Sequence, residues 1–303
     1  METDALVAVA GATGYIGKRL TTSLIQRDIH VRALGRRHAT LQTLVAQGAT
    51  AAVVDVADLR SSRKALTGVD VAYYLVHSMD AGADFAERDR HAARTFQQAA
   101  REAGVRRIIY LGGLGEPHPG LSKHLASRLE VARILEEGPV PTTVLRAGVI
   151  VGGGSASYLM IQDLVNHLPV MLCPRWVHTA CQPIAVDDAL AYLVGCLDEP
   201  GTTGQRFDIG GPDIMSYRGM METYARVTHR TRLILPVPVL TPRLSSYWVG
   251  FVTSVPIAVA RPLIEGVRSP AVCTEQRITA LFPRDLQHYD DAIRSIVRGT
   301  ANA

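Results

Sequence analysis

The sequence predicts an α/β fold, a doubly wound parallel sheet with a smaller C-terminal lobe. Three observations carry this: an apolar run ending in a glycine-rich turn near the N-terminus, strands alternating with helices as far as Val151, and a looser pattern beyond. Such alternation builds a parallel sheet covered on both faces, whose ligands sit beyond the carboxyl ends of its strands. A chain of 303 residues with 47% hydrophobic content can bury a large core with an appendage. The division is drawn at residue 152: 1–152 form the sheet core and 153–303 a lobe interleaved with it.

The first strand runs from Leu6 into Gly11-Ala-Thr-Gly14-Tyr-Ile-Gly17, and a helix follows over Lys18–Arg27. Glycines at intervals of three after a buried strand suit a dinucleotide. The first permits a tight reversal, the second lets backbone N–H groups approach a pyrophosphate, and the third lets helix pack on strand. The helix start then offers free N–H groups and a positive dipole end to the anion. Gly11, Thr13, Gly14, Tyr15, Ile16 and Gly17 are therefore expected to contact the cofactor.

The second strand, Ile29–Leu34, leads to Gly35-Arg36-Arg37. This is where an acidic side chain would accept from a free ribose 2′-hydroxyl and an arginine would pair with a 2′-phosphate. No Asp or Glu stands there, so Arg36 and Arg37 favour NADP(H) over NAD(H). A helix over Leu41–Ala46 and a third strand, Thr50–Val54, follow. Asp55-Val56 with Asp58 then places a carboxylate where it can accept from an adenine amino group.

A fourth strand over Val69–Val76 brings Val76, His77 and Ser78 beside the expected pyrophosphate and ribose. The apolar residues of Phe85–Ala103 recur at helical spacing and read as a packing face. The fifth strand, Val105–Leu111, ends at Gly112-Gly113, and Ser122–Glu137 is helical. The sixth, Thr142–Ala147 with Val149–Val151, is broken at Gly148, so that Ala147, Gly148 and Val149 close the expected cofactor cradle with Gly112. In the second lobe, segments near 182–187 and 205–209 are expected to return to the main sheet, and Ser216 to cap a helix over Arg218–Val227.

Taken in order, GATGYIG, YLGGLG, HLASRLEVARIL, LRAGVIVG, QPIAVDDAL and FDIGGPD resemble the atypical and extended short-chain dehydrogenase/reductases. The likeness is to the NAD(P)H-binding NmrA-like and YbjT-like groups, related to the accessory subunit of respiratory complex I of this type. It implies a Rossmann fold, NADP(H), and either a reductase or a cofactor-bound protein without turnover. Active members place a serine after the fifth strand and a Tyr-x-x-x-Lys pair on the next helix. Here Gly112 and Gly113 replace the serine, and the only lysines, Lys18, Lys64 and Lys123, have Gly14, Arg60 and Pro119 four positions earlier.

The helix instead offers His124 and Arg128, four apart and so on one face. Arg128 stays protonated and can hold a nicotinamide ribose but cannot relay a proton. His124 is the candidate proton donor, and the nearby arginine is expected to lower its pKa and keep it mostly neutral at pH 7; a structural or pyrophosphate-side hydrogen-bonding couple is the competing role. His77 reads as shaping the cofactor loop, and Tyr158 as packing.

The leading functional expectation is an NADP(H)-dependent oxidoreductase acting on a small apolar carbonyl, enone or quinone. A non-catalytic NADP(H)-binding sensor or structural protein is the alternative. A net charge of +4 without a basic run longer than Arg36-Arg37-His38 argues against a nucleic-acid partner. Four cysteines without Cys-x-x-Cys spacing argue against zinc and suit a reducing cytosol. The first apolar run follows Glu2 and Asp4, unlike a signal peptide. Leu244–Ala260, seventeen residues without a charge, is too short and hydroxyl-rich for a transmembrane helix. It is read as a substrate wall, a subunit contact or a membrane-surface patch anchored by Trp248 and Phe251, and the protein as cytoplasmic with peripheral membrane contact as an option.

Overall fold

The computed structural model describes residues 5–77, 85–237 and 252–301. Its first half repeats one unit: β1 (Leu6–Ala10), α1 (Tyr15–Ile25), β2 (His30–Gly35), α2 (His38–Val45), β3 (Thr50–Val53), α3 (Leu59–Leu66), β4 (Val71–Tyr74), α4 (Phe85–Glu102), β5 (Arg107–Gly113), α5 (Lys123–Glu136) and β6 (Thr142–Ala147). These strands and a later one, β11 (Arg206–Ile209), form a seven-stranded sheet in the order β11-β6-β5-β4-β1-β2-β3. Every pairing in it is parallel. The order reverses between β1 and β4, which opens a crevice at their carboxyl ends.

Parallel central strands are covered on both faces, so they read as continuous apolar runs. Val7, Val9, Tyr73 and Ile109 pack on one side of the sheet, and Ala8, Ala10, Tyr74 and Ile108 on the other, in two separate clusters. Alternation along each strand sends successive side chains to opposite layers. The alanines of α4 (Ala92, Ala93, Ala99, Ala100) let that helix lie close, with Phe96 seated 4.9 Å from Tyr74, centroid to centroid.

Helix α3 is short and carries few apolar residues, with Ser62, Ala65 and Leu66 on its buried face. It is set by Asp58, whose carboxylate accepts the Ser61 N–H at 2.7 Å as an N-cap. Asp58 thus engages the backbone at the helix start. The caps of α5 and of the later helix α8 (Tyr217–Val227) are Ser122 and Ser216, accepting from Leu125 and Gly219.

The second lobe comprises β7 (Ile150–Val151), α6 (Ala156–His167), β8 (Val170–Pro174), β9 (Ala180–Cys181), β10 (Ile184–Ala185), α7 (Val186–Gly195), β12 (Met215–Ser216), α8, β13 (Leu233–Val237), α9 (Ile257–Gly266), α10 (Arg277–Leu281) and α11 (Tyr289–Ala301). Its strands form three two-stranded ladders. Segment 205–209 supplies β11 at the edge of the main sheet. Segment 182–187 does not join that sheet: Ile184–Ala185 pairs with Ile150–Val151 in a ladder of its own. The bend at Gly148 causes this, because it turns β7 away from β6 and leaves β10 a partner outside the sheet. A third cluster, built on Tyr158, Met220, Tyr224 and Ile293, forms this lobe's core.

A buried ion pair ties the lobes. Arg146 Nε donates to Asp208 at 2.7 Å, and Asp208 also accepts from the backbone N–H and hydroxyl of Thr274, both at 2.9 Å. Of the uncharged segment, residues 244–251, with Trp248 and Phe251, lie outside the described residues. Within the remainder Val255 and Ala260 are buried and Ile257 is exposed. Among the described residues no helix is long and apolar enough to cross a membrane.

Candidate active site

A cleft of about 820 Å³ opens at the carboxyl ends of β1, β4, β5 and β6 and runs under the second lobe. Its first wall is the glycine turn. Gly11 has φ of +84°, and a Cβ there would stand 2.7 Å from the Leu75 carbonyl oxygen. A Cβ on Gly17 would lie 2.1 Å from the Gly11 carbonyl oxygen, which already accepts the Gly14 N–H at 3.0 Å.

Gly14 differs from both. It is exposed, its φ of −76° suits any residue, and the nearest atom to a Cβ would be 3.3 Å away. Packing therefore demands glycine at 14 far less than at 11 or 17, asking only a small shift of the Gly11 carbonyl; beyond it lies open space above the first turn of α1. No side chain caps α1, so its leading N–H groups remain available beside the positive end of the dipole. An open glycine over an uncapped helix start fits a pyrophosphate.

Gly11, Gly14, Tyr15, Ile16 and Gly17 line the cleft, together with His77, Gly112, Arg128, Ala147, Gly148 and Val149. Thr13 and Val76 do not. Thr13 turns its methyl toward Gly35, 3.3 Å from where a Cβ would be, and Val76 packs into the core while Leu75 takes the lining position. Arg36 and Arg37 are exposed between β2 and α2, and neither joins an ion pair among the described residues. Asp55 is exposed at the end of β3, accepting the Ala57 N–H at 3.0 Å, and Val56 is buried. Ser78 lies outside the described residues.

His124 and Arg128 share one face of α5, as their spacing requires. Arg128 Nε donates to His124 Nε2 at 3.2 Å. That bond uses the Nε2 lone pair, so the neutral ring carries its proton on Nδ1. Burial, then the Arg128 charge, pushes the His124 pKa down to about 3. His124 is therefore a neutral imidazole at pH 7, a hydrogen-bond donor and not an imidazolium acid. The neutral state expected from the arginine's spacing is reinforced by burial, for the ring is 7% exposed.

His77 stands edge-on to His124, with ring centroids 6.5 Å apart. Its ring is open to the cleft, and crowding by protein, followed by Arg128 and His124, holds its pKa below the usual range. The stem of Arg128 lies over β5, with Cδ 3.0 Å from where a Gly113 Cβ would be. Gly113 thus makes room for the arginine, while Gly112 clears the Tyr110 ring, whose Cε1 would stand 2.8 Å from a Cβ. The Arg128 guanidinium has no carboxylate partner among the described residues, leaving donors for a ribose.

Sequence reasoning missed several cleft residues. Leu125 escaped because it stands beside the more conspicuous His124. Ser157, Trp176 and Tyr217 line the far end but sit on elements with no motif. The Tyr15 hydroxyl is buried without a partner among the described residues, and a Cβ on Gly152 would come within 2.2 Å of it. Tyr158 does not line the cleft; it is buried with its ring 5.9 Å from that of Tyr224. The cysteines are free thiols, with burial holding Cys173 up to about 11 and Cys181 up to about 12, so none is a thiolate at neutral pH.

A family model described as NAD(P)H-binding matches residues 11–164, half of the chain and the whole of the glycine-turn wall. The chain belongs to the NAD(P)H-binding family. Among similar curated relatives, the ceramide reductase of Caulobacter vibrioides is 29% identical over 208 residues, 66% of this chain and 64% of that protein. Mouse mitochondrial NADH dehydrogenase (ubiquinone) 1 alpha subcomplex subunit 9 is 25% identical over 257 residues, 81% of this chain and 66% of that one. The chain thus spans less than two thirds of the first relative's length. An NADPH-dependent quinone oxidoreductase from Escherichia coli, crystallised with NADPH, has the same fold, with a TM-score of 0.75 at 19% identity over 96% of this chain and 99% of that one. The family is thus the NAD(P)H-binding one, and the fold is the one shared with that oxidoreductase.

Proposed function

We propose that the protein is an NADPH-dependent reductase of apolar quinones or enones. The observation that carries this reading is the continuity of the cleft. It passes from the glycine turn, beside Arg128 and His124, into a second, apolar compartment under α6, β8 and α9. A protein that only holds a dinucleotide has no use for that compartment.

Bound NADPH would supply a hydride. The chain's residues account for its placement: the α1 start for the pyrophosphate, Arg36 and Arg37 for a 2′-phosphate, and Arg128 for a ribose. They also narrow the substrate. Among the described lining residues, His124 is neutral, His77 is held well below its usual range, and Tyr15, Cys173 and Tyr217 are held above theirs. None titrates near pH 7, where a general acid works best. A plain ketone becomes a strongly basic alkoxide and needs such an acid. A quinone or enone becomes a delocalised oxyanion, which a neutral donor such as the His124 ring can stabilise and water can protonate.

The named activities of the relatives support reduction as the class of reaction, since they include a ceramide reductase and a divinyl chlorophyllide a 8-vinyl-reductase. The test is deuteride transfer from 4-deuterated NADPH to a panel of quinones, enones and simple ketones. Label is expected in the first two groups and not in the third. Transfer to none of them, with NADPH still raising the melting temperature, would leave the protein as a cofactor-bound sensor or structural component.

A further inference from the structure

The compartment beyond Gly148 is not the shape of a small-ring pocket. Arg128 is the one fixed charge among the described residues lining the whole cleft, and it belongs to the cofactor end. The far walls come from Met160 and Leu164 of α6, Val170 and Leu172 of β8, and Leu263 of α9. Val170 and Leu172 line the cleft and yet are 49% and 60% exposed.

Their neighbours continue the surface. In the parallel β8–β13 ladder Val170 lies opposite Leu233 and Leu172 opposite Leu235, and those two are 53% and 41% exposed. Single exposed leucines are ordinary. Four in register, two of them shared with an internal cleft, make a continuous apolar track from the compartment to the outside. A substrate consisting of a ring alone would leave that track bare.

Resting on the reductase reading, we propose that the substrate carries a long acyl or prenyl tail. Its reacting ring lies near His124 and Arg128, and its tail fills the compartment and leaves over the β8–β13 ladder. The tail contributes binding and takes no part in the chemistry, so it should act on KM and not on kcat. Each methylene moved from water into such a channel is worth up to about fourfold in affinity.

The experiment uses the NADPH-loaded full chain and a series of dimethoxy-methyl-benzoquinones carrying no tail, one isoprene unit, two isoprene units or a decyl chain. KM is expected to fall at least about tenfold across the series, with kcat nearly constant. In Leu172→Glu the ratio of tail-less to decyl KM should shrink toward one, with NADPH titration verifying that the variant is folded. Calorimetric binding of each quinone to the same holoprotein separates the two ideas. If no quinone is reduced but the decyl compound still binds at least tenfold tighter than the tail-less one, the reductase reading fails and the tail site stands. Equal KM and equal calorimetric affinity along the series would overturn the tail site even if every quinone is reduced.

Discussion

The two ends of the cleft are built from different materials. At the cofactor end the surface is backbone: three glycines, a helix start and the ends of four strands, with His124 and Arg128 as the principal side chains. At the substrate end it is made of side chains from α6, β8, α8 and α9, nearly all apolar. A backbone-built surface has one solution, because a single added carbon meets a main-chain atom that cannot turn aside. A side-chain surface can repack. The difference explains why one end carries a family motif and the other carries none.

The most damaging change should be Gly17→Ala. Its Cβ would sit 2.1 Å from a backbone oxygen, so α1 must move off β1, at a cost of about 3 kcal/mol or more, the upper range for overpacking. Urea unfolding would measure it, and a loss below about 1 kcal/mol would show that the turn is more pliable than its geometry implies.

Arg36→Ala should come next. Losing a charge-assisted contact to phosphate weakens NADPH by about 1.5–3 kcal/mol and leaves NADH nearly unchanged. Calorimetry with both cofactors tests this, and equal affinities in the parent protein would already remove the preference.

Gly14→Ala separates packing from binding at the same turn. With its nearest neighbour at 3.3 Å, the methyl should cost stability no more than about 1 kcal/mol, the scale for alanine at a helix start. NADPH affinity should nevertheless drop about tenfold as the methyl enters the anion's space. Unchanged affinity would mean that the pyrophosphate lies elsewhere.

His124 gives the cofactor end a pH signature. An unfolded histidine binds a proton below about pH 6.5, whereas folded His124 stays neutral down to about 3. Between those values the unfolded chain binds more protons, so stability falls as pH falls, with a slope approaching about 1.4 kcal/mol per pH unit from this group. Above pH 6.5 the contribution is flat. His124→Gln should lower the slope of unfolding free energy against pH by one proton over that window, and parallel curves for the two proteins would contradict the buried neutral state.

The smallest effect is expected at the other end. Met160→Leu changes shape but hardly volume in a wall that can repack, and should cost under about 1.5 kcal/mol in stability with NADPH affinity intact. A cost comparable to that of Gly17→Ala would make the two ends alike.

What the sequence determined by itself is the part of the molecule governed by local chemistry. The Gly11, Gly14 and Gly17 spacing, the apolar runs of β1, β4 and β5, the Ser216 cap, and the four-residue interval from His124 to Arg128 each express a rule acting within a few residues. Helix α3 escaped because its cap, Asp58, also suits a strand end, and the two roles differ only in what the carboxylate faces. Only the tertiary structure decided that β10 pairs with β7, that Thr13 and Val76 turn from the cleft while Leu75 and Leu125 enter it, and that burial, more than Arg128, depresses the His124 pKa. It alone brought Val170, Leu172, Leu233 and Leu235 into one track. Those outcomes depend on residues far apart in the chain, and burial and strand partnership are set by what packs against a residue, not by what precedes it.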